Sequence, residues 1–381
     1  MNYNHLQNIF HNYIEKFEEI NTVYEEFYKW EMVHDFRKTM DDALSASDDL
    51  FPDKLSEAKR LTVNIIDSYI TPFNGLVEMA RKDAKSVKKM FADLFSDDGN
   101  DLAVRQKRIQ DFIKRSNDLC EHLFPNSFMF KNDNHSVTSY LFLYDPDHNY
   151  IYKATEARAF ADCVEFYEDW GSGDSFKLDV YYRMCDQLVE AIKADEKLLK
   201  TDMSRFEGKL RKEPKPLYAD PEKHVLAFDI IYCCGRYGLF DGISFERPNT
   251  KERQLLKERK EKALNYLEDY KSIKEKYDLL TEADAFVNDS FSSGSKVKHR
   301  KFGEGTVKEN KDDSILVVFS DFGEKKLEPY TAAGNGLITS FTEGYEENLK
   351  KYKDVLKAGN QIKDKYKRAE KNMNEYIEYL D

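Results

Sequence analysis

Apolar and aromatic residues recur at intervals of three and four along most of this 381-residue chain. The first such stripe lies near the start and consists of Leu6, Phe10, Tyr13, Phe17 and Ile20. This spacing places all of its members on one face of an α-helix. Similar stripes continue up to Pro248, so the sequence predicts a mainly α-helical protein with a helical body over residues 1–249.

One segment of this body has no clear period. Residues 139–144, SYLFLY, are almost wholly apolar and precede Asp145, Pro146 and a second aromatic stretch over residues 150–153. An apolar run this short fits a β-hairpin, and it also fits a helix followed by a turn and an extended piece. The sequence leaves both alternatives open.

Two longer helices are predicted near the C-terminus, over about 251–282 and 343–380. In the first, Leu256, Ala263, Tyr270 and Tyr277 are spaced by sevens. The second has a seam of mostly three- and four-residue steps, formed by Tyr345, Leu349, Tyr352, Leu356, Gly359, Ile362, Tyr366, Ala369, Met373, Tyr376 and Leu380. Such seams are typical of coiled coils. We therefore expect residues 250–289 and 342–381 to form an antiparallel coiled-coil hairpin, in which Gly359 indicates a close helix crossing or a hinge.

Between these helices, residues 294–341 change to a period of two. Val297 and His299 alternate with Lys296 and Lys298, as in a half-buried strand. The segment 302–305, FGEG, contains two glycines that permit positive φ and a sharp turn. Residues 315–319 form an apolar run typical of a central strand, and residues 321–323 form another turn. The pattern predicts a small closed β-barrel of four or five strands within residues 290–341.

Residues 297–307 (VKHRKFGEGTV), with residues 315–319 and 323–327, resemble the Tudor-like barrel at the C-terminus of UvrD/PcrA-type DNA helicases. In that family the barrel is a docking module linked to RNA polymerase and repair partners. The resemblance therefore implies a Tudor/SH3-like fold and a docking role for this segment. It does not extend to a helicase motor, because the chain contains no GxxxxGK[ST] loop. The alternative is that the barrel is only a spacer.

The formal net charge of the chain is −12, which argues against broad binding to phosphate backbones. The barrel segment differs, because Lys298, Arg300 and Lys301 cluster beside His299. Lysines on a strand edge prevent edge-to-edge aggregation, and they also suit a contact with nucleic acid. Both interpretations remain open at this stage.

The five cysteines are odd in number, irregularly spaced and without a CxxC pair. This usage is typical of reduced thiols in a cytoplasmic protein, not of a disulfide framework or a zinc site. The first ten residues lack the features of a signal peptide, and no apolar run is long enough to cross a membrane. We expect no metal, no cofactor and no membrane association.

One pair of residues resembles a catalytic motif. Arg115 and His122 have the spacing of the R-x(4–6)-H motif of HEPN-type ribonucleases, which are all-helical. The resemblance implies that His122 and Arg115 would assist attack by a ribose hydroxyl and stabilise the charged phosphate. Seven residues span close to two helical turns, so both side chains can share one helix face.

The sequence as a whole predicts a non-catalytic interaction protein that presents its barrel to a protein or nucleic-acid partner. The expected setting is bacterial DNA transactions such as repair, transcription coupling or phage defence. The candidate binding residues are Lys298, His299, Arg300, Lys301, Phe302 and Phe322. For Phe302 the favoured alternative is a place in the core of the barrel. The alternatives are a HEPN-like ribonuclease and a DNA-binding module that uses the basic barrel edge. The coiled coil also offers a surface for oligomerisation.

Overall fold

A computed structural model describes residues 1–66, 71–208, 215–311 and 314–380 of the chain. The chain divides into two compact units, Met1–Gln254 and Leu255–Asp381. The structure confirms a mainly helical protein with one small antiparallel sheet. None of the helices in the described ranges combines the length and the apolar character needed to span a bilayer.

All regular secondary structure in the described ranges of the first unit is helical. Its α-helices are α1 (Tyr3–Thr22), α2 (Tyr28–Ser45), α3 (Phe51–Lys59), α4 (Val63–Ile66), α5 (Pro72–Lys82), α6 (Ala84–Leu94), α7 (Leu102–Leu123), α8 (Asn134–Tyr144), α9 (Ala154–Cys163), α10 (Leu178–Ala194), α11 (Glu196–Ser204) and α12 (His224–Arg236). Short 3₁₀ turns lie at Phe128–Phe130, Pro146–His148, Gly173–Ser175 and Arg205–Glu207. Side chains cap several helix starts; for example, Asp101 accepts hydrogen bonds from the amides of Ala103 and Val104.

The predicted stripe on α1 is buried in the core of this unit. Residues 139–144, which the sequence left undecided, belong to α8. Every residue of α8 from Val137 to Leu143 is buried, so no face of the helix is exposed over this stretch. A helix that is enclosed on all sides shows no amphipathic period, which explains why the pattern did not settle its structure.

The second unit contains most of α13 (Thr250–Ser290) and the only strands in the described part of the chain. These strands are β1 (Lys296–His299), β2 (Gly303–Lys311), β3 (Ser314–Phe319), β4 (Gly323–Leu327) and β5 (Ile338–Ser340). Helix α14 (Pro329–Gly334) connects β4 to β5, and α15 (Tyr345–Lys357), α16 (Gly359–Glu375) and a 3₁₀ turn at Ile377–Tyr379 follow.

The strands pair in the order β4-β3-β2-β1-β5, and every neighbouring pair is antiparallel. Strands β4 and β5 are the two edges, and they do not pair with each other among the described residues. The closed barrel that we predicted is therefore not confirmed: the structure shows an open five-stranded sheet. Its inner face buries Val297, Val317 and Ile338. The sequence did not single out β5, because three residues are too few to show a period.

Helix α13 packs against α15 and α16 and runs antiparallel to both. Tyr266 contacts Tyr376, Tyr277 stacks on Tyr366 with ring centroids 4.1 Å apart, and Glu282 pairs with Lys351. Later positions on α13 thus meet earlier positions on α15 and α16. These contacts establish antiparallel packing, but they do not by themselves establish a coiled coil.

Gly359 begins α16, directly after the break between α15 and α16. A Cβ atom placed there would lie 3.7 Å from Leu280, an ordinary van der Waals contact. The packing therefore does not require glycine at this crossing. The close backbone approach is instead at Gly334, where a Cβ atom would lie only 2.5 Å from the amide nitrogen of Lys357.

Candidate functional site

Two turns of the same form lie at one end of the sheet. Strand β1 meets β2 at the pair His299–Gly303, and β3 meets β4 at the pair Phe319–Gly323. Each pair encloses a three-residue turn that ends in phenylalanine, and the following glycine has a φ of +74° or +64°. Positive φ favours glycine. Both turns are at the same end because β1 and β3 are each antiparallel to β2.

Phe302, from the first turn, is the centre of an aromatic cluster. Its ring centroid lies 4.5 Å from that of His299, with the planes 18° apart. It also lies 5.4 Å from the centroids of both Phe319 and Phe322. Phe319 is buried, whereas Phe322 remains 48% exposed. The cluster therefore connects the core of the sheet to solvent.

The His299 ring holds the first turn in place. Its Nδ1 atom accepts hydrogen bonds from the amides of Lys301, at 3.1 Å, and Phe302, at 3.2 Å. An accepting Nδ1 carries no proton, so this imidazole is neutral and protonated only at Nε2. Burial and the positive charge of Lys301 lower the pKa of His299. The turn thus depends on the uncharged form of the ring.

Basic side chains surround this cluster. The Nζ atoms of Lys301 and Lys325 lie 5.7 and 5.9 Å from the centroid of the Phe302 ring. Lys301, Lys325 and the exposed Arg300 form no ion pair within the described ranges. Lys298 is exposed and alternates with the buried His299, so it occupies the other face of β1, opposite Glu304 in the register.

The structure therefore brings together most of the binding residues predicted from the sequence. His299, Phe302 and Phe322 form one cluster, and Arg300 and Lys301 lie in the turn beside it. Lys298 does not join them. Lys325 was missed, because only the pairing of β3 with β4 reveals its proximity to Phe302.

Within the resembling segment 297–307, Gly305 and Val307 also have roles in folding. A Cβ atom at Gly305 would lie 2.7 Å from the Phe319 ring and 2.8 Å from the Val318 carbonyl oxygen, so glycine permits close strand packing. Val307 is buried in the core of the second unit. His299 and Gly303 also stabilise the turn. These residues therefore account for much of the segment through the folding of the turn and its flanking strands. The side chains that remain accessible to a partner are the exposed ones next to this turn.

The two residues of the HEPN-like motif both lie on α7. Arg115 forms an ion pair with Asp93 at 2.6 Å and lines a cavity of about 270 Å³ together with Arg108 and Asp111. His122 is exposed in the last turn of α7 and does not line that cavity. No hydrogen bond or ion pair joins Arg115 to His122 within the described part of the chain.

A buried group of charges in the first unit escaped the sequence analysis. Lys29 and Asp229 are both 0% exposed, and Lys29 Nζ donates a hydrogen bond to Asp229 Oδ1. Glu26 Oε2 lies 2.7 Å from the same nitrogen. The hydroxyl of Tyr13 donates to Asp229 Oδ2 at 2.5 Å. Lys29 lies four residues before Val33 on the apolar stripe of α2. A lysine at such a position is a sequence feature that indicates a buried charge.

The same network continues through Arg205, which is also buried. Its guanidinium donates to the Tyr13 hydroxyl at 2.8 Å and to Asp202 at 3.3 Å, and its Cζ atom lies 3.6 Å from the centre of the Trp30 ring. Lys223 pairs with Asp202 at 3.0 Å. Every charge here faces an opposite charge, as buried ions require.

This network links α1, α2 and α12 through buried polar contacts. Burial lowers the pKa of Lys29, but the combined effect of Asp229, Cys233, Tyr28 and Glu26 outweighs it and holds that pKa above its ordinary value. The charged form of Lys29 is therefore favoured. Burial raises the pKa of the Tyr13 hydroxyl well above its usual range.

No group of three or more potential ligands is arranged to hold a metal ion in the ranges that the structure describes. All five cysteines are buried and free. Comparison with protein-family models, with curated proteins and with solved structures gives no match to this chain. Any function must therefore be inferred from the geometry within each unit.

Proposed function

We propose that this chain is a non-catalytic interaction protein that presents the turn end of its sheet to a partner macromolecule. One observation supports this most directly. Phe322 is half exposed on an otherwise packed aromatic cluster, and the nearby cations Arg300, Lys301 and Lys325 form no ion pair among the described residues. An exposed aromatic ring bordered by unpaired charge is typical of a binding surface.

We further propose that the sheet is a Tudor-like module, open between β4 and β5. The resemblance over residues 297–307, 315–319 and 323–327 supports this proposal. The docking role of the helicase barrels that it resembles supports a setting in bacterial DNA transactions. The five free cysteines support a reducing compartment such as the cytoplasm.

We also propose that α13 and α15–α16 form an antiparallel coiled-coil hairpin that supports the sheet. The tyrosine contacts between the helices support it, and so does burial of Tyr352, Leu356 and Ile362 along the predicted seam. Charged residues occupy most of the remaining positions. A rigid support of this kind would hold the turns in a fixed geometry for a partner.

The proposal is tested by affinity purification of the full chain from the cells in which it occurs, with quantitative mass spectrometry. We expect Phe322→Ser to lose a specific partner that the unaltered chain retains. Val318→Ser is the matched control, because Val318 is 41% exposed on β3 but lies outside the aromatic cluster. Loss of no partner, or equal loss in both variants, would contradict the proposal.

The HEPN-like alternative has its own test. An RNA cleavage activity that is present in the unaltered chain and absent in His122→Ala, with the fold intact, would show that the protein is an enzyme. We expect neither form to cleave RNA, because no contact joins His122 to Arg115 within the described residues.

A further inference from the structure

We infer that the partner docks through an acidic peptide segment with one large apolar side chain; this inference rests on the proposed function. The surface concerned is called the turn platform here. It consists of Arg300, Lys301, Phe302, Phe322, Lys325 and Leu337. These residues come from three segments of the chain that meet at one end of the sheet.

The apolar part of the turn platform is a short row. Phe322 belongs to the turn between β3 and β4, and Phe302 belongs to the neighbouring turn between β1 and β2. Leu337 immediately precedes β5 and is 41% exposed. Its carbonyl oxygen accepts a hydrogen bond from the Arg300 amide at 2.8 Å, which fixes it beside the first turn. The row follows the sheet order and exposes apolar surface at Phe322 and Leu337.

The charged part of the turn platform is positive. Arg300, Lys301 and Lys325 border the row, and no ion pair neutralises them among the described residues. Of the nearby acids, Glu324 is already paired with Lys308 at 2.6 Å, and Asp321 lies in the same turn as Phe322. The three cations outnumber Asp321, so the net charge of this end of the sheet stays positive. The chain as a whole carries −12. An acidic segment is therefore attracted to this end of the sheet and repelled by most of the remaining surface.

The geometry favours a peptide over a nucleic acid. Bases bind by stacking on a free aromatic face, but His299 lies nearly parallel to the Phe302 ring at 4.5 Å and covers one of its faces. Phe319 and Phe322 pack against the same ring at an angle. Three cations also make a short track for a phosphate backbone. An apolar side chain needs only the exposed part of the Phe322 ring, and flanking carboxylates suit the cations.

The test measures binding of labelled probes to the full chain by fluorescence anisotropy. The probes are a nine-residue peptide with a central Phe flanked by Asp and Glu, the same peptide with central Ser, a Lys-flanked Phe peptide, and a nine-nucleotide oligo-dT. We expect only the acidic Phe peptide to bind, with an affinity that falls as salt is added.

Two variants remove the two parts of the turn platform. We expect Phe322→Ser and the double variant Lys301→Glu/Lys325→Glu each to weaken binding about tenfold or more. Val318→Ser and Lys326→Glu are matched controls and should bind normally, because neither residue belongs to the platform. Hydrogen exchange over residues 296–319 should be unchanged, which separates lost contacts from a lost fold.

Three results would overturn the inference: tighter binding of oligo-dT than of the acidic Phe peptide, undiminished peptide binding by the double variant, or no binding of any probe. None of these three results decides the proposed function, which is tested separately by the affinity purification. If Phe322→Ser loses a cellular partner but the acidic peptide does not bind, the docking role holds and the acidic-peptide inference fails. If no cellular partner is lost, the proposed function itself fails.

Discussion

The rings of Phe302 and Phe322 pack against each other with centroids 5.4 Å apart, although each belongs to a different turn. Both residues precede a glycine of positive φ in a three-residue turn. The pairing of β2 with β3 places these turns side by side. The contact joins two local turn sequences into one surface, and its geometry depends on the neighbouring His299 ring.

The second unit should lose stability on acidification because of His299. Its folded-state pKa is lowered by burial and by Lys301, so the folded turn resists a proton that the unfolded chain accepts. The contribution of neutral His299 is fully present above its ordinary pKa of 6.5 and is lost as the pH falls below that value. Hydrogen exchange of residues 296–306, corrected for intrinsic rates, should show the protection decreasing.

His299→Asn is the control for this effect. The asparagine Oδ1 can accept the same amide hydrogen bonds as the imidazole Nδ1, but asparagine does not titrate in this range. Protection in the variant should therefore vary less between pH 7.5 and 5.5. The same pH dependence in both proteins would exclude His299 as the cause.

Asp220 should impose an opposite pH dependence on the first unit. Its carboxylate is buried and accepts hydrogen bonds from the amides of Val225 and Leu226. Burial raises its pKa from 3.8 to about 6, despite those bonds. Its contribution to stability is fully present below 3.8 and is lost as the pH rises through about 6. By linkage the loss is about 3 kcal/mol.

Asp220→Asn removes this titration but retains an acceptor for only one of the two amides, because Val225 and Leu226 donate to different oxygens of the carboxylate. The lost hydrogen bond lowers the stability by an amount that does not depend on pH. Relative to the unaltered chain, the variant should gain stability between pH 4 and pH 7. Urea unfolding followed by tryptophan fluorescence measures this difference, because both tryptophans, Trp30 and Trp170, lie in the first unit. A stability difference that does not change with pH would contradict the assignment.

Removing one partner of the Lys29–Asp229 pair should strongly destabilise the first unit. Asp229→Asn leaves the buried ammonium of Lys29 without its main counter-ion, which typically costs about 3–5 kcal/mol. The same tryptophan-monitored unfolding gives the change. Asp118→Asn removes the exposed partner of Lys114 on α7 and should leave the unfolding midpoint unchanged. Equal effects of the two substitutions would mean that the buried network does not stabilise the fold.

Two glycines of the second unit should respond differently to alanine. Gly334→Ala places a methyl group 2.5 Å from the backbone nitrogen of Lys357, so α14 and α15 must move apart, at a cost of about 1–3 kcal/mol. Gly359→Ala meets only ordinary contacts and should stabilise α16 by up to about 1 kcal/mol. Hydrogen exchange in α14 and α15 should rise in the first variant only. A rise in the second would show that Gly359 is required for the crossing.

Local spacing was enough to predict several elements. The stripe of α1 and the alternation of β1 appear in the sequence because each is a short-range period of apolar side chains. The turns at Gly303 and Gly323 can be recognised in the sequence because a positive φ favours glycine, and each glycine stands between two strand-like segments. The candidate cluster of His299, Phe302 and Phe322 followed from these same turns.

What the sequence determined by itself was therefore the local geometry: mainly helix, one short β segment and two glycine turns. Only the tertiary structure decided that the sheet stays open, that α8 is a helix, that Lys29 faces Asp229 and that Lys325 and Leu337 join the turn platform. The reason is physical. A backbone period depends on neighbouring residues, whereas burial, ion pairing and close approach depend on segments that meet only when the chain has folded.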